Sequence, residues 1–263
     1  MRLWMAGLLF GLECLSGWAG FAQTAGSAGA PPKVVLWVHQ QMLAGKAGER
    51  DKLEAEICRK FEEFGIPIPW IEMEAVTGSP GALFLDPASS FEEMDRAGHL
   101  LGEAYGAHPE LAQLQDQIEE RLASSKIVFA VRRDDLGGSR VDLSKARYLR
   151  INVVSVRPGH ESDFAEADKI ISRVHADEAR VVYAVDSGMT LPTFLVIEAL
   201  RSLGDADKKP EATGMAEKDR KQLEQIARDA YTSVESNLYA IHPEMSHVSR
   251  GFAAEDPEFW GRK

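Results

Sequence analysis

Apolar and polar residues follow one another in an order that occurs twice along the 263-residue chain. Apolar runs predict strands, and charged stretches with apolar residues at helical spacing predict amphipathic helices. The first set predicts a strand, a helix, two strands, a helical region broken near Gly106 and Pro109, and a strand, at residues 34–38, 48–64, 68–76, 82–85, 90–124 and 127–131. The second set predicts the corresponding elements at residues 148–156, 160–175, 181–185, 193–199, 215–234 and 238–241.

The two sets also share residues. A shift of 110 positions places Gly78 on Gly188, Phe84 on Phe194, and the strand 127–131 on 237–241. Self-similarity of this length is typical of a repeated structural unit. The pattern therefore predicts a tandem repeat, with its units at 34–135 and 146–245.

The order strand–helix–strand–strand–helix–strand is that of the ferredoxin-like module, in which two helices cover one face of an antiparallel sheet. The other face requires a partner. The sequence therefore predicts an α+β fold, in which two ferredoxin-like repeats (βαββαβ) face each other as an intramolecular α+β barrel. Such a chain is a monomer with a pseudo-dimeric core, which leaves further oligomerisation open, and it is followed by a C-terminal tail at 246–263.

The stretch VRPGHESDF, residues 156–164, resembles the first strand-to-helix turn of the dimeric α+β barrel superfamily, which includes antibiotic-biosynthesis-monooxygenase-like proteins. Residues 48–53 carry a looser version, and the resemblance extends over 34–241. It implies the barrel fold. It leaves the activity open, because the superfamily includes monooxygenases, haem-degrading enzymes, small-molecule decomposers and proteins with no known chemistry.

The N-terminus has the pattern of an export signal. Arg2 precedes an apolar stretch, and small residues stand at Gly20 and Ala22. We predict a signal peptide at 1–22, a flexible linker at 23–33, and a periplasmic or secreted protein. After cleavage Cys58 is the one cysteine left, so no internal disulfide can form.

The net charge of −11 argues against nucleic-acid binding, which needs basic surfaces. No stretch after the signal is long and apolar enough to predict a membrane span. The chain also lacks a phosphate-binding glycine loop, a GxSxG nucleophile motif and a CxxC pair.

Trp70, Glu72 and Glu74 form the first candidate site, because alternation places them on one face of a strand. Two carboxylates beside an aromatic ring could bind a ligand or carry out acid–base chemistry. The alternative is a solvated strand face. The repeat places different residues at the matching positions of the second unit, namely Arg180, Val182 and Ala184.

Glu198 stands in an apolar run, where a buried carboxylate without a partner is costly. It is either a site acid, with Tyr183 as a possible hydrogen-bond donor, or the point where the strand reaches solvent. His39 and His242 end the first and last predicted strands. Either histidine lines a cavity at the sheet end or is an exposed capping residue.

His99, Glu103 and His108 are the candidate metal ligands. His99 and Glu103 are four residues apart on the predicted helix, and His108 follows closely. The alternative is an exposed, glycine-rich helix without metal, and our main prediction is a protein without a metal.

The function that these patterns favour is an exported protein that binds a small apolar ligand or a protein partner, without a cofactor. The alternative is a cofactor-independent monooxygenase-like or haem-degrading enzyme with a cavity between sheet and helices, and haem would be its cofactor only in the latter case. The sequence does not decide whether the protein is an enzyme. The candidate catalytic residues are Glu72, Glu74 and Glu198, and the candidate ligand-binding residues are Trp70, Tyr183, His39 and His242.

Overall fold

The structure is a computed structural model that describes residues 29–138, 141–175, 179–207 and 215–261. The predicted signal peptide, 1–22, and residues 23–28 of the predicted linker lie outside the described residues. Within the described part of the chain, no helix is both long enough and apolar enough to cross a membrane.

Both halves have the predicted order of elements. The first half consists of β1 (Val34–Met42), α1 (Ala47–Phe64), β2 (Ile71–Ala75), β3 (Ala82–Ala88), α2 (Phe91–Ala107), α3 (Pro109–Glu119) and β4 (Leu122–Arg132). The second half consists of β5 (Tyr148–Val156), α4 (Glu161–Val174), β6 (Arg180–Ser187), β7 (Thr193–Leu200), α5 (Gly204–Asp207), α6 (Glu217–Ala230) and β8 (Tyr231–Ile241). Two short helices follow, α7 (Arg250–Ala254) and α8 (Pro257–Trp260).

The strands close into one antiparallel barrel with the order β1-β3-β2-β8-β5-β7-β6-β4. Each half contributes four neighbouring strands, and the halves are joined by the pairs β2–β8 and β4–β6. The predicted α+β fold of two ferredoxin-like units forming an intramolecular barrel is therefore confirmed. Closure gives each of these strands a neighbour on both sides.

Alternation along the strands divides the core into three parts. One side of each strand fills the barrel with a continuous cluster that includes Trp37, Met73, Leu83, Leu195 and Ile197. The opposite side faces the helices and forms a separate cluster in each half, one around Phe61 and Phe84 and one around Phe164 and Phe194. A ligand site can therefore lie inside the barrel or between the sheet and the helices.

The two hairpin turns cross from one half to the other. Gly78 lies against Asn237 and Gly188 lies against Ile127, each with a positive φ, of 84° and 92°. A Cβ on Gly188 would lie 2.1 Å from the Ile127 carbonyl oxygen, and one on Gly78 would lie 2.3 Å from Asn237 Oδ1. Both the backbone conformation and the close approach require glycine, which explains why glycine occurs at both positions.

Replacing Gly188 by alanine is expected to lower the free energy of unfolding by about 2–4 kcal/mol, from left-handed strain and a forced displacement of β4. Gly159 is the matched control, because its φ is 88° but nothing lies within 4 Å of the position that a Cβ would take there. Gly159→Ala should cost only the strain, about 1 kcal/mol. Equal losses in urea denaturation would contradict the role assigned to the hairpin contact.

The last strand of each half is longer than the sequence predicts. The predicted helix 215–234 is wrong over its last four residues, because α6 ends at Ala230 and β8 begins at Tyr231. Tyr231 continues the apolar stripe of the helix, which explains the error. Its backbone instead pairs with Val156 of β5, so the tertiary partner overrides the local pattern.

Segments at both ends of the chain pack against the barrel. In the tail, Trp260 is 1% exposed and donates from Nε1 to the Ser144 carbonyl at 2.7 Å. Residues 29–33, which the sequence assigns to a flexible linker, are held in place. Leu143 N–H donates to the Gly29 carbonyl at 2.8 Å, and the Tyr183 hydroxyl donates to the Pro32 carbonyl at 2.9 Å.

Candidate ligand cavity

An open cavity of about 2970 Å³ lies mainly in the first half, between the helix-facing side of the sheet and α2 and α3. It extends towards residues 30–33 and 247–252, and it reaches Val181, Tyr183 and Ile197 of the second half. The sheet contributes Leu36 and Val38 of β1 and Phe129 of β4. Helix α2 buries only Ala104, and its contribution to the cavity wall alternates between small and large residues. The small ones are Ala97, Gly98, Gly102 and Gly106, and the large apolar ones are Phe91, Met94, Leu101 and Tyr105. The aromatic residues of the wall are Phe61, Trp70, Phe91, Tyr105, Phe129, Tyr183 and Phe252, apart from His247.

Asp86 is the acidic side chain that β3 places in this apolar wall. It follows Ala82 and Phe84 on the helix-facing side, and it makes no side-chain hydrogen bond or ion pair with the residues that the structure describes. Burial, and then the negative charge of Glu54, raise the pKa of Asp86 to about 7. A carboxyl group in this state can give or accept a proton near neutral pH.

Tyr105 of α2 also lines the cavity, and its hydroxyl lies 3.4 Å from Gln115 Oε1. Burial and the charge of Glu54 raise the pKa of Tyr105, so its hydroxyl stays protonated and can donate a hydrogen bond. Glu54 of α1 thus raises the pKa of both Asp86 and Tyr105.

A buried charge cluster stands behind this part of the wall. Arg50 of α1 is fully buried and contacts Glu72 at 2.8 Å, Glu54 at 3.3 Å and Gln40 at 3.3 Å. Its guanidinium also lies over the Phe84 ring, 5.1 Å from the centroid. Of these residues Gln40 lines the cavity, so the cluster supports the wall without forming it.

Glu72 is the most deeply buried carboxylate of the cluster, with 0% of its surface exposed. Burial outweighs the attraction of Arg50 and raises the pKa of Glu72 to about 8. Its Oε1 accepts from Arg50, while Oε2 has no hydrogen-bond partner within the described residues. The solvated-face interpretation is therefore wrong for Glu72, which does not line the cavity either.

Comparison with known proteins shows a dimeric α+β barrel fold. No family model and no curated protein sequence matches the chain. Solved structures do match, and 49 chains share the fold at high significance. The superfamily resemblance predicted from residues 156–164 is thus confirmed at the level of fold.

Three of these structures show how low the sequence identity is among proteins with this fold. A candidate monooxygenase from Lactobacillus acidophilus NCFM is 9% identical and has a TM-score of 0.52, over 82% of this chain and 96% of that chain. An anthrone oxidase-like protein is 14% identical with a TM-score of 0.50, over 80% and 91%. A mutant chlorite dismutase from Candidatus Nitrospira defluvii is 11% identical with a TM-score of 0.50, over 81% and 93%. At these identities the similarity shows the fold alone.

The three residues of the first candidate site face the same side of the sheet but have different surroundings. Glu72 and Glu74 lie on β2, and Trp70 directly precedes it. Trp70 borders the cavity, packs 4.9 Å from Phe61 and donates from Nε1 to the Met245 carbonyl at 2.8 Å. Glu74 lies nearer the surface, 3.5 Å from His242 Nε2. Burial and the neighbouring Asp51 raise the pKa of Glu74.

Glu198 and Tyr183 lie on opposite sides of the sheet. Tyr183 is buried in the barrel interior, whereas Glu198 faces the helices and pairs with Arg150 at 2.8 Å. The predicted hydrogen bond between them is therefore wrong. The sequence suggested it because β6 and β7 are neighbours, but residues of opposite parity on paired strands face opposite ways.

His39 and His242 also differ in position. His39 does not end β1, which continues to Met42, and burial followed by the charge of Lys126 lowers the pKa of His39. His242 directly follows β8, with Nδ1 3.2 Å from Glu244 Oε1. Neither histidine lines the first-half cavity.

The candidate metal ligands are not brought together. His99 is 78% exposed and faces Asp95, Glu103 is exposed, and the His108 ring stacks on Phe64 with centroids 3.7 Å apart. No group of three His, Cys, Asp or Glu residues in the described ranges could hold a metal ion. The structure thus gives no support to the proposed ligand set.

The second half also has a buried ion pair between its first helix and the strand that follows, but at other positions. Arg180 of β6 contacts Asp168 of α4 at 3.0 Å, and Asp168 accepts from the Gly137 N–H at 2.7 Å. Here the strand carries the cation and the helix the anion, the reverse of Arg50 and Glu72. The sequence difference between the two units therefore reflects two separate ion pairs.

Asp86, Arg50, Glu54 and Tyr105 were missed by the sequence reasoning. Asp86 precedes a proline, and Asp-Pro commonly starts a turn, so the strand was ended at residue 85. The alternation Ala82, Phe84, Asp86 was the signal that could have placed it on the helix-facing side.

Proposed function

We propose that the protein binds a small apolar molecule in the first-half cavity and that Asp86 anchors a polar group of that molecule. The observation that carries the proposal is a carboxyl group without a side-chain partner among the described residues, on the sheet side of a mostly apolar wall. The other carboxylates of the wall lie on the helices, namely Glu62, Glu93, Asp95, Asp116 and Glu119. Ligand sites typically combine a mostly apolar lining with a few placed polar groups.

The charges near the cavity restrict the ligand. The lining carries six acidic residues against three cationic ones. The acidic residues are Glu62, Asp86, Glu93, Asp95, Asp116 and Glu119, and the cationic ones are Lys33, Arg132 and Arg250. An anionic ligand would add to this excess of negative charge. The favoured ligand is therefore neutral or cationic, with a hydroxyl or amine that faces Asp86.

The cavity itself can be tested with N-phenyl-1-naphthylamine, a neutral fluorescent probe of apolar sites. Gly98 lines the cavity and has open space around it, so Gly98→Leu should fill part of the site and weaken probe binding at least about tenfold. Gly48 is a matched control, since it is helical and equally open but does not line the cavity. Equal probe binding by the wild type and Gly98→Leu would rule out this site.

The anchor is tested by competition between the probe and a long-chain alkylamine, which stays cationic from pH 5 to 9. In the wild type the amine should bind more tightly as pH rises through about 7, because Asp86 becomes charged. The gain should be at least about tenfold, the effect of one charge-assisted hydrogen bond. In Asp86→Asn the affinity should not vary with pH. A wild type without this pH dependence contradicts the role of Asp86.

A second candidate is an enzyme that oxidises an apolar substrate without a cofactor. The supporting observation is the Asp86 pKa of about 7, which suits a general base. Asp86 would remove a proton from the bound substrate, and the resulting anion would react with O₂. Oxygen uptake with a panel of phenols and anthrones tests this, and uptake that persists in Asp86→Asn would contradict it.

The haem alternative depends on His247, the one histidine among the described residues that lines the cavity. Its Nδ1 lies 2.7 Å from the Ile68 carbonyl oxygen, the kind of contact that orients an axial imidazole. This residue fits one requirement of haem, which would supply redox chemistry when bound. Titration of the protein with haem tests this alternative. A Soret band that does not change on adding the protein would contradict haem binding.

We also propose that the chain is exported to the periplasm or outside the cell after cleavage near residue 22, and that its halves arose by duplication. The apolar N-terminus supports export, and the equivalent roles of Gly78 and Gly188 support duplication. N-terminal sequencing of the mature protein tests the first of these. A mature protein that begins at Met1 would contradict it.

A further inference from the structure

We propose a second binding site, for a small organic carboxylate, in a separate pocket at the end of the barrel where β5 starts and β7 and β8 end. The pocket has a volume of about 390 Å³. It is lined by Arg147, Tyr148, Arg201, Ser202, Leu203, Ala240, Ile241 and Phe259. The proposal for this site is independent of the function proposed for the first-half cavity.

Two arginines line this pocket. Tyr148 pairs with Leu200 as the last registered pair of β5 and β7, and the Arg147 N–H donates to the Leu200 carbonyl at 2.8 Å. Arg147 therefore directly precedes β5 and Arg201 directly follows β7, at the same end of the barrel. Two like charges beside one pocket repel each other, and an anion bound between them would relieve that repulsion.

Arg147 is held in position before any ligand arrives. Its Nη2 donates to Asp256 at 2.5 Å, and its guanidinium lies over the Phe259 ring, 3.9 Å from the centroid. The hydrogen bond from Arg147 lowers the pKa of Asp256, so this carboxylate stays charged and keeps its hold. A guanidinium has five N–H donors in a planar fork, so part of the fork remains for a ligand.

Arg201 has no such partner. Its side chain is exposed and makes no hydrogen bond or ion pair with any residue that the structure describes. The loop that carries it is nevertheless fixed, since Asp205 accepts from the N–H groups of Arg201 and Ser202 at 2.9 and 3.0 Å. One prepositioned cation and one unpaired cation thus face the same space.

The remaining wall selects the body of the ligand. Leu203, Ile241 and Phe259 are apolar, and Leu203 is 48% exposed. An arginine pair recognises a planar carboxylate through parallel N–H···O bonds. An aryl or short alkyl group attached to that carboxylate would cover the apolar residues. The pocket therefore fits an aromatic carboxylate of the size of benzoate better than an inorganic anion.

Calorimetric titration of benzoate into the full-length mature chain at 150 mM salt tests the proposal. The wild type should bind benzoate saturably, and Arg201→Gln should bind it at least about tenfold more weakly. Arg228, an exposed arginine of α6 outside the pocket, is the matched control, and Arg228→Gln should bind like the wild type.

Two further ligands identify the chemistry. Benzamide has the same shape without the charge and should not bind, and inorganic phosphate has charge without an apolar body and should bind more weakly than benzoate. Equal benzoate affinity in the wild type and Arg201→Gln overturns the proposal. So does binding of benzamide as tight as benzoate, or of phosphate as tight as benzoate.

Discussion

Replacing Arg50 by methionine is expected to lower the free energy of unfolding by about 3–5 kcal/mol, the usual cost of removing one partner from a buried ion pair. Arg50 is fully buried, and Glu72 and Glu54 are 0% and 5% exposed. Without the guanidinium, both carboxyl groups are left in an environment that cannot solvate their charge. The loss should be visible as a lower midpoint in urea denaturation at pH 7.

Arg96→Met is the control for the loss of an arginine. Arg96 pairs with Glu92 at 2.8 Å on the surface of α2, where the two side chains are 58% and 80% exposed. An exposed pair of this kind contributes at most about 0.5 kcal/mol. A loss in Arg50→Met as small as in Arg96→Met would contradict the assigned role of the cluster.

The triple variant Arg50→Met, Glu54→Leu, Glu72→Leu separates two explanations. If uncompensated charge causes the loss, the triple variant should recover most of the stability, because apolar side chains of similar volume can replace a buried ion cluster. If the lost packing of the arginine side chain causes it, the triple variant should be no more stable than Arg50→Met.

The architecture could be predicted from sequence because its causes are local. Period-two and period-3.6 patterns mark the strands and helices, and the matching turn glycines at 78 and 188 indicate a second set of elements in the same order. Closure then follows, since each unit leaves one apolar sheet face uncovered. The pattern failed at Tyr231, where a residue suited to a helix stripe pairs with β5 instead.

The site could be predicted only in part, because burial of charge depends on distant segments. Arg50 and Glu54 are spaced like an ordinary surface pair on α1. They become buried because the turn after β8 covers them, with Met245 Sδ 3.9 Å from Arg50 Nη1 and the Ser246 hydroxyl accepting from the Glu72 N–H at 2.9 Å. Nothing in residues 47–72 indicates that the chain returns there from position 245.

The same reasoning explains why Glu72 was a candidate and Asp86 was not. Glu72 alternates with apolar residues, which makes it a candidate from sequence, although it belongs to the cluster behind the cavity wall. Asp86 occupies the equivalent side of β3, in the wall of the cavity, and there the Asp-Pro pair hid the continuing strand. Asp86 pairs with Leu36 of β1, which is 50 positions away, so the sequence around Asp86 does not indicate this pairing.

Replacing Asp86 by asparagine is expected to stabilise the protein above pH 7, on the order of a few kcal/mol, and to leave it almost unchanged near pH 4. The pKa of Asp86 is raised from 3.8 to about 7 in the folded protein. The folded state therefore holds this proton more tightly than the unfolded state. The resulting stability is present below about pH 4 and is lost as pH rises through about 7. The asparagine of the variant cannot ionise, so the variant does not lose this stability between about pH 4 and pH 7.

Urea denaturation of the wild type and Asp86→Asn from pH 4 to 9 measures the difference in free energy. Glu72 titrates in both proteins, so its contribution cancels when the two are subtracted. Asp134→Asn is the control of opposite sign, because hydrogen bonds from Lys33 and Arg132 lower the pKa of Asp134. Its removal should destabilise the protein slightly at neutral pH, by no more than about 1 kcal/mol for an exposed pair.

The pH profile also tests the basis of the proposed function. A few kcal/mol of pH-dependent stability arises only if the Asp86 carboxylate is poorly solvated in the cavity. The same poor solvation is what would make a ligand's hydroxyl or amine bind strongly there, since the ligand would supply the missing partner. A difference that stays flat from pH 4 to 9 would mean that water already solvates Asp86. The cavity would then have no unsatisfied group with which to select its ligand.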